Sequence, residues 1–131
     1  MFFILTAFII MISASCSAEN ENLLYNGDFE ILNAEGQPDG WYTDAYRLDN
    51  GYTVFSVTEG MNGKGSSAVQ IRNAARNDAR YAQIVQVEPE SMYCLSGYSR
   101  AEDITFGHGA NLSIEGIYAF SEKMYDTEGE W

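Results

Sequence analysis

Residues 80–101 read RYAQIVQVEPESMYCLSGYSRA and predict two β-strands joined by a turn. The first half alternates in side-chain direction with a period of two and is rich in β-branched residues, as strands are. Pro89 cannot donate a ladder hydrogen bond, so with its polar neighbours it predicts the turn. In the returning strand Leu95 lies on one face, and Tyr98 and Arg100 lie on the other. We expect that second face to be the ligand surface.

The composition indicates one exported domain. The chain has 131 residues, enough for a single domain of ordinary size. Nineteen acidic and seven basic residues give a formal net charge of -12, and the acids are spread along the chain as on a solvated surface. This balance argues against nucleic acid and anionic lipid as partners. Arg72, Arg76 and Arg80 are spaced four apart and are predicted to form a surface stripe paired with nearby acids.

The N-terminus has the pattern of a secretory signal over residues 1–18. Its apolar run is too short to cross a bilayer core of about 30 Å as a helix, and small residues follow. Cleavage after Ala18 releases a soluble domain of residues 19–131. Cleavage before Cys16 instead leaves a lipid-carrying cysteine, although Ser13 stands where such signals usually have a large aliphatic residue. We therefore expect membrane contact only through such a lipid or an uncleaved signal.

An ordered set of segments carries a resemblance to a known family. Residues 22–30 read NLLYNGDFE, Gly40 and Trp41 close a hydrophilic loop, and Gln83, Pro89, Tyr93, Leu95 and Ala101 belong to one spaced pattern. Together these segments resemble the carbohydrate-binding modules of families 4, 9 and 22 over residues 22–131. The resemblance implies an all-β sandwich of jelly-roll type, like galactose-binding domains. It also implies further strands after residue 131, so we expect the chain to be the front part of a longer gene product.

Four further segments are expected between and beyond those landmarks. Residues 51–57 and 67–71 alternate as strands, and residues 58–66 between them predict a glycine-rich loop. Residues 110–118 predict one more strand. Cys94 falls within a strand pattern and is expected to be a small buried hydrophobe, because Cys16 in the signal cannot pair with it.

The candidate carbohydrate contacts combine aromatic rings with polar side chains. A pyranose has an apolar face of C–H groups that a flat ring can cover, while amides, carboxylates and guanidinium groups bind its hydroxyls. The polar candidates are equally compatible with plain solvent exposure, and Trp41 with a place in the core. The candidates are Trp41, Tyr42, Tyr46, Arg80, Tyr98, Arg100, Asn111 and Glu115.

The resemblance also implies a structural calcium ion. Its first carboxylate corresponds to Glu30, the loop at Gly63 and Gly65 corresponds to the backbone ligands, and Asp28 is a second candidate that reads equally as a turn residue. A further aspartate ligand is expected beyond the chain.

Catalysis finds little support in the sequence. The chain has a single histidine, His108, between two glycines, and it carries no recognisable nucleophile, zinc or redox motif. The sequence therefore predicts a noncatalytic, exported carbohydrate-binding domain that is secreted or lies at the cell surface. The alternative is an exoplasmic accessory or interaction domain of a larger membrane or cell-surface enzyme, such as a glycosyltransferase or glycosidase.

Overall fold

The computed structural model describes residues 22–49, 51–105 and 107–131, and the regular structure in these ranges is β. The predicted signal and Cys16 lie outside the described residues. Within these three ranges no helix has the length and apolar character needed to cross a membrane. The strands are β1 (Tyr42–Ala45), β2 (Thr53–Gly60), β3 (Gly63–Asn73), β4 (Ala79–Ala82), β5 (Ser113–Ile114) and β6 (Ala119–Phe120).

The strands form three small antiparallel sheets, which pair β1 with β4, β2 with β3, and β5 with β6. The all-β class is therefore confirmed, but the two broad facing sheets of a jelly-roll sandwich are not found in the described part of the chain. Each sheet has two strands, and such a sheet is marginal unless it packs against something else. Part of that support comes from side-chain hydrogen bonds between the loops and the strands.

The β2–β3 hairpin confirms the two predicted strands and corrects the loop between them. Both strands continue through residues 58–66 and meet at a tight turn of Met61 and Asn62. Gly63 follows with a φ of 75°, and the register shifts at Gly60. A left-handed glycine after a short turn is the usual way to close such a hairpin, since a side chain would be strained there. The glycines therefore form a bulged turn rather than a long loop.

Tyr81 of β4 connects the β1–β4 sheet to this hairpin. Its ring meets Phe55 edge to face with centroids 5.3 Å apart. Its hydroxyl donates to Oε1 of Gln37 at 2.9 Å, and the Gln37 amide donates to the carbonyl of Phe55 at 3.4 Å. Burial raises the pKa of Tyr81. Polar and aromatic contacts thus hold β4 against β2.

The opening segment is a compact loop around Asn26. Its sequence predicts a short strand interrupted by a turn at Asn26 and Gly27; the turn forms, but the strand on either side of it does not. Asn26 is buried with a φ of 49°, a left-handed conformation that asparagine tolerates. Its amide donates to the carbonyls of Ile31 and Asp39, at 2.8 and 3.0 Å, and its Oδ1 accepts from Ile31 N–H at 3.0 Å. These local bonds replace a strand ladder.

Gln83 ties this loop to the end of β4. Its Oε1 accepts from Tyr25 N–H at 2.9 Å, and its Nε2 donates to the carbonyls of Tyr25 and Gly40 at 2.9 and 3.1 Å. Hydrogen bonds from this side chain, and not a strand ladder, therefore join the opening loop to the chain just after β4.

The hairpin predicted over residues 80–101 forms only in its first residues. β4 ends at Ala82, and residues 83–105 contain no strand. The predicted turn is held by Tyr93, whose hydroxyl accepts from Glu88 N–H at 2.7 Å. The predicted hairpin does not form because no strand in the described part of the chain pairs with these residues, and alternation alone does not supply one. Cys94 consequently lies exposed, contrary to its predicted burial.

The segment predicted as one strand over residues 110–118 turns back on itself. β5 covers two residues, and a turn that includes Gly116 and Tyr118, both with positive φ, leads into β6. This short hairpin projects Glu115 and Tyr118 from its tip.

Candidate functional site

The exposed face of the β1–β4 sheet carries the first half of the site. Tyr42 lies opposite Ala82, and Asp44 lies opposite Arg80, so these four side chains share one face. Ala45 and Tyr81 occupy the other face, and Ala45 is buried. The period of two therefore directs Tyr42, Asp44 and Arg80 away from the core.

Arg80 and Asp44 form an ion pair across the two strands. The Asp44 Oδ2 atom accepts from Nη2 of Arg80 at 2.9 Å and from Nε at 3.0 Å. About half of each side chain is exposed, so the pair contributes little to stability but holds the guanidinium in place. The predicted pairing of the arginine stripe with acids is confirmed at Arg80.

The β5–β6 turn carries the second half and forms a cleft with Arg80. This cleft has a volume of about 430 Å³. Tyr118 stands at its rim with 89% of its surface exposed, and Glu115 lies on the same turn. The lining residues are Arg80, Ser113, Ile114, Glu115, Gly116, Tyr118 and Phe120.

The arrangement presents both kinds of contact that a sugar needs. Tyr118 and Phe120 offer ring faces to C–H groups, while Ser113, Glu115 and the Arg80 pair offer donors and acceptors to hydroxyls. The cleft is open to solvent, so a ligand bound there stays partly exposed. A second cavity of about 210 Å³ adjoins it, shares Ser113, Ile114 and Phe120, and is lined further by Leu95 and Leu112.

Two of the predicted contacts, Arg80 and Glu115, meet in this cleft, and three others lie elsewhere. Tyr98 is exposed, as predicted, with 71% of its surface free, but it does not line the cleft. Arg100 pairs with Glu102 at 3.2 Å and covers the ring of Trp131 at 5.2 Å. Asn111 is exposed and lines neither cavity.

Of the remaining predicted aromatic contacts, two are exposed to solvent and one is packed against another ring. Tyr42 lies on the face of the ion pair, and Tyr46 is exposed just after β1. Trp41 instead packs on Phe29 with centroids 5.0 Å apart and donates its indole N–H to the carbonyl of Asn26 at 3.0 Å. This tryptophan therefore stabilises the opening loop and is not free to stack on a sugar.

The two carboxylates predicted to bind calcium, those of Glu30 and Asp28, each accept a backbone hydrogen bond. Glu30 Oε1 accepts from Ser67 N–H at 3.0 Å, which places its carboxylate against the middle of β3. Asp28 Oδ1 accepts from Glu30 N–H at 3.4 Å, as a turn residue does. Within the described ranges no group of three acidic, histidine or cysteine side chains could hold a metal. Calcium therefore stays a prediction from the resemblance.

Sequence reasoning missed the contribution of Asp44, and it placed Tyr118 at the end of the strand predicted over residues 110–118. Asp44 acts through Arg80, which is 36 residues away in the chain and opposite only because β1 pairs with β4. Tyr118 becomes prominent because the chain turns where a continuous strand was predicted. The adjacent Gly116 was the available signal for that turn.

Comparison with known proteins gives one partial similarity. Over 96 residues, 73% of this chain, the sequence is 34% identical to a protein named Exochitinase 1 from Streptomyces olivaceoviridis. The matched part spans 14% of that protein. No family model matches the chain, and no solved structure matches it. The similarity, together with the all-β fold, links the chain to a part of a chitinase.

Proposed function

We propose that this chain is a noncatalytic carbohydrate-binding domain that holds a polysaccharide in the cleft between β4 and the β5–β6 turn. The observation that carries the proposal is that the exposed ring of Tyr118 lines the same cleft as Arg80, whose guanidinium is held by Asp44. The ring supplies an apolar platform, and the fixed guanidinium supplies directed donors to hydroxyls. No reaction is required of these groups.

The similarity to Exochitinase 1 supports a polysaccharide partner and an exported location. A domain that accompanies an enzyme on an insoluble substrate gains by raising the local concentration of that enzyme. The same proposal has three further parts: the chain is a member of the family 4, 9 and 22 carbohydrate-binding modules, the complete domain is a jelly-roll sandwich, and it binds a structural calcium ion. Placement of the domain in a secreted or surface protein is consistent with its strongly acidic composition.

The test is retention of the purified protein on insoluble chitin, cellulose and xylan. Tyr118→Ala and Arg80→Ala each remove one type of contact, and each is expected to weaken binding about threefold to tenfold. Matched controls are Tyr125→Ala and Arg76→Ala, which change the same residue types outside the cleft. Circular dichroism and urea unfolding verify that the variants keep the fold.

Equal loss of retention in the cleft variants and the controls would contradict the assignment of the site. Failure of the unaltered protein to bind any of the three polysaccharides would contradict carbohydrate binding itself.

A second candidate role, an accessory or interaction domain, is favoured by exposed apolar residues. Ile84, Met92 and Ile117 are all largely exposed, and Leu95 and Leu112 line the smaller cavity. Such side chains mark a protein interface where they are contiguous. Charged substitutions such as Ile84→Glu should leave glycan retention unchanged if carbohydrate binding is the function, and should disrupt association with neighbouring domains if docking is the function.

A further inference from the structure

The charges of the cleft indicate which class of glycan it accepts. Arg80 is the single cationic side chain among the described residues that line the cleft, and Asp44 neutralises it through two contacts of 2.9 and 3.0 Å. Glu115 adds a carboxylate that forms no ion pair within the described part of the chain. The pair and Glu115 together leave the cleft with a net negative charge.

Hydrogen-bonding capacity leads in the same direction. An ionised carboxylate accepts and does not donate, so Glu115 binds hydroxyl donors of any sugar, and binds an ammonium group through its charge as well. The guanidinium directs Nε and one N–H of Nη2 at Asp44, which leaves its other three N–H groups for the hydroxyls of the same ligand. An ammonium group brings three donors and a positive charge, and the faces of Tyr118 and Phe120 also favour a cation.

The rest of the protein reinforces this preference at longer range. The chain has a formal net charge of -12, so a polyanion is repelled before it reaches the cleft while a polycation is attracted. The effect at the cleft itself is modest, because Glu115 is exposed and water screens its field.

We propose that the cleft prefers glycans that carry free amino groups, such as deacetylated glucosamine chains, over neutral N-acetylated chains and over uronate chains. Glu115 is the residue that sets this preference. The inference rests on the proposed carbohydrate-binding function and adds the substrate class to it.

The experiment uses the purified full chain and calorimetric titration with hexamers of glucosamine, N-acetylglucosamine and galacturonate. The buffer is acidic enough to keep the amino groups protonated and low in salt. We expect the glucosamine hexamer to bind about threefold to fivefold more tightly than the acetylated hexamer, as a half-screened charge contact allows. The uronate hexamer should bind most weakly, and high salt should remove the difference.

Glu115→Gln keeps the shape of the side chain and removes its charge. This variant should bind both neutral and amino hexamers equally, whereas Glu122→Gln, an exposed matched control, should keep the preference. Binding of the acetylated hexamer without any preference, or a preference that survives Glu115→Gln, would overturn this inference and leave carbohydrate binding intact. Absence of binding to all three hexamers would overturn both.

Discussion

Replacement of Asn26 tests whether one buried side chain organises the opening loop. Its amide and Oδ1 make three hydrogen bonds of 2.8 to 3.0 Å with the backbone of Ile31 and Asp39. A hydrogen bond contributes about 1 kcal/mol net, so Asn26→Ala should lose about 3 kcal/mol from the bonds. Alanine at a φ of 49° adds roughly 1 kcal/mol of backbone strain. The expected loss is about 4 kcal/mol of unfolding free energy.

Two further substitutions separate these contributions. Asn26→Gly loses the bonds but tolerates the left-handed backbone, so it should be about 1 kcal/mol more stable than Asn26→Ala. Asn26→Asp keeps the acceptor and places an oxygen opposite two carbonyls, so it should lose at least about 2 kcal/mol.

The assay is urea unfolding followed by tryptophan fluorescence, because Trp41 donates its indole N–H to the Asn26 carbonyl and reports on this loop. With an m value of about 2 kcal/mol/M, Asn26→Ala should lower the midpoint by about 2 M. A loss below about 1 kcal/mol, or a glycine variant no more stable than the alanine variant, would refute this account of the loop.

Three other predictions concern the hairpin turn, the tyrosines and calcium. Gly63→Ala should lower the free energy of unfolding in urea by about 1 kcal/mol, because the φ of Gly63 is 75°. In the control Gly97→Ala the new methyl group meets only Leu112 Cδ1, at 3.4 Å, so the loss should be smaller. Equal losses in the two variants would contradict the strained turn. The hydrogen bond to Asp39, and then the charge of Asp39, raise the pKa of Tyr25. This contact therefore stabilises the fold below the ordinary pKa of a phenol, near 10, and the benefit is lost as pH rises through the raised value. Urea midpoints of Tyr25→Phe should accordingly fall less steeply than wild type on the alkaline side, and parallel curves would exclude the linkage. Calcium should raise the thermal midpoint of the wild type but not of Glu30→Gln, and an unchanged wild type would remove calcium from the proposal.

The sequence alone predicted the local structure of two strands and one turn. Alternation over residues 51–57 and 67–71 predicted β2 and β3, because the period of two is a property of each strand alone. The turn at Pro89 followed from its missing N–H. Each of these features depends on neighbours in sequence. Tyr98 is exposed, but so is Leu95, which the predicted strand places on the opposite face, so parity did not decide the exposure of Tyr98.

Tertiary structure decided which segments meet. Arg80 lies beside Asp44 only because β4 pairs with β1, and Glu115 lines the same cleft as Arg80 only because β5 turns back into β6. Residues 83–101 alternate as strands do, yet they contain no strand, so the predicted face of Tyr98 and Arg100 is not assembled. Alternation assigns each side chain to one of two faces, but the identity of the adjacent strand depends on contacts between residues far apart in the chain. For that reason the sequence indicated the chemistry of the site, and the structure selected the residues that form it.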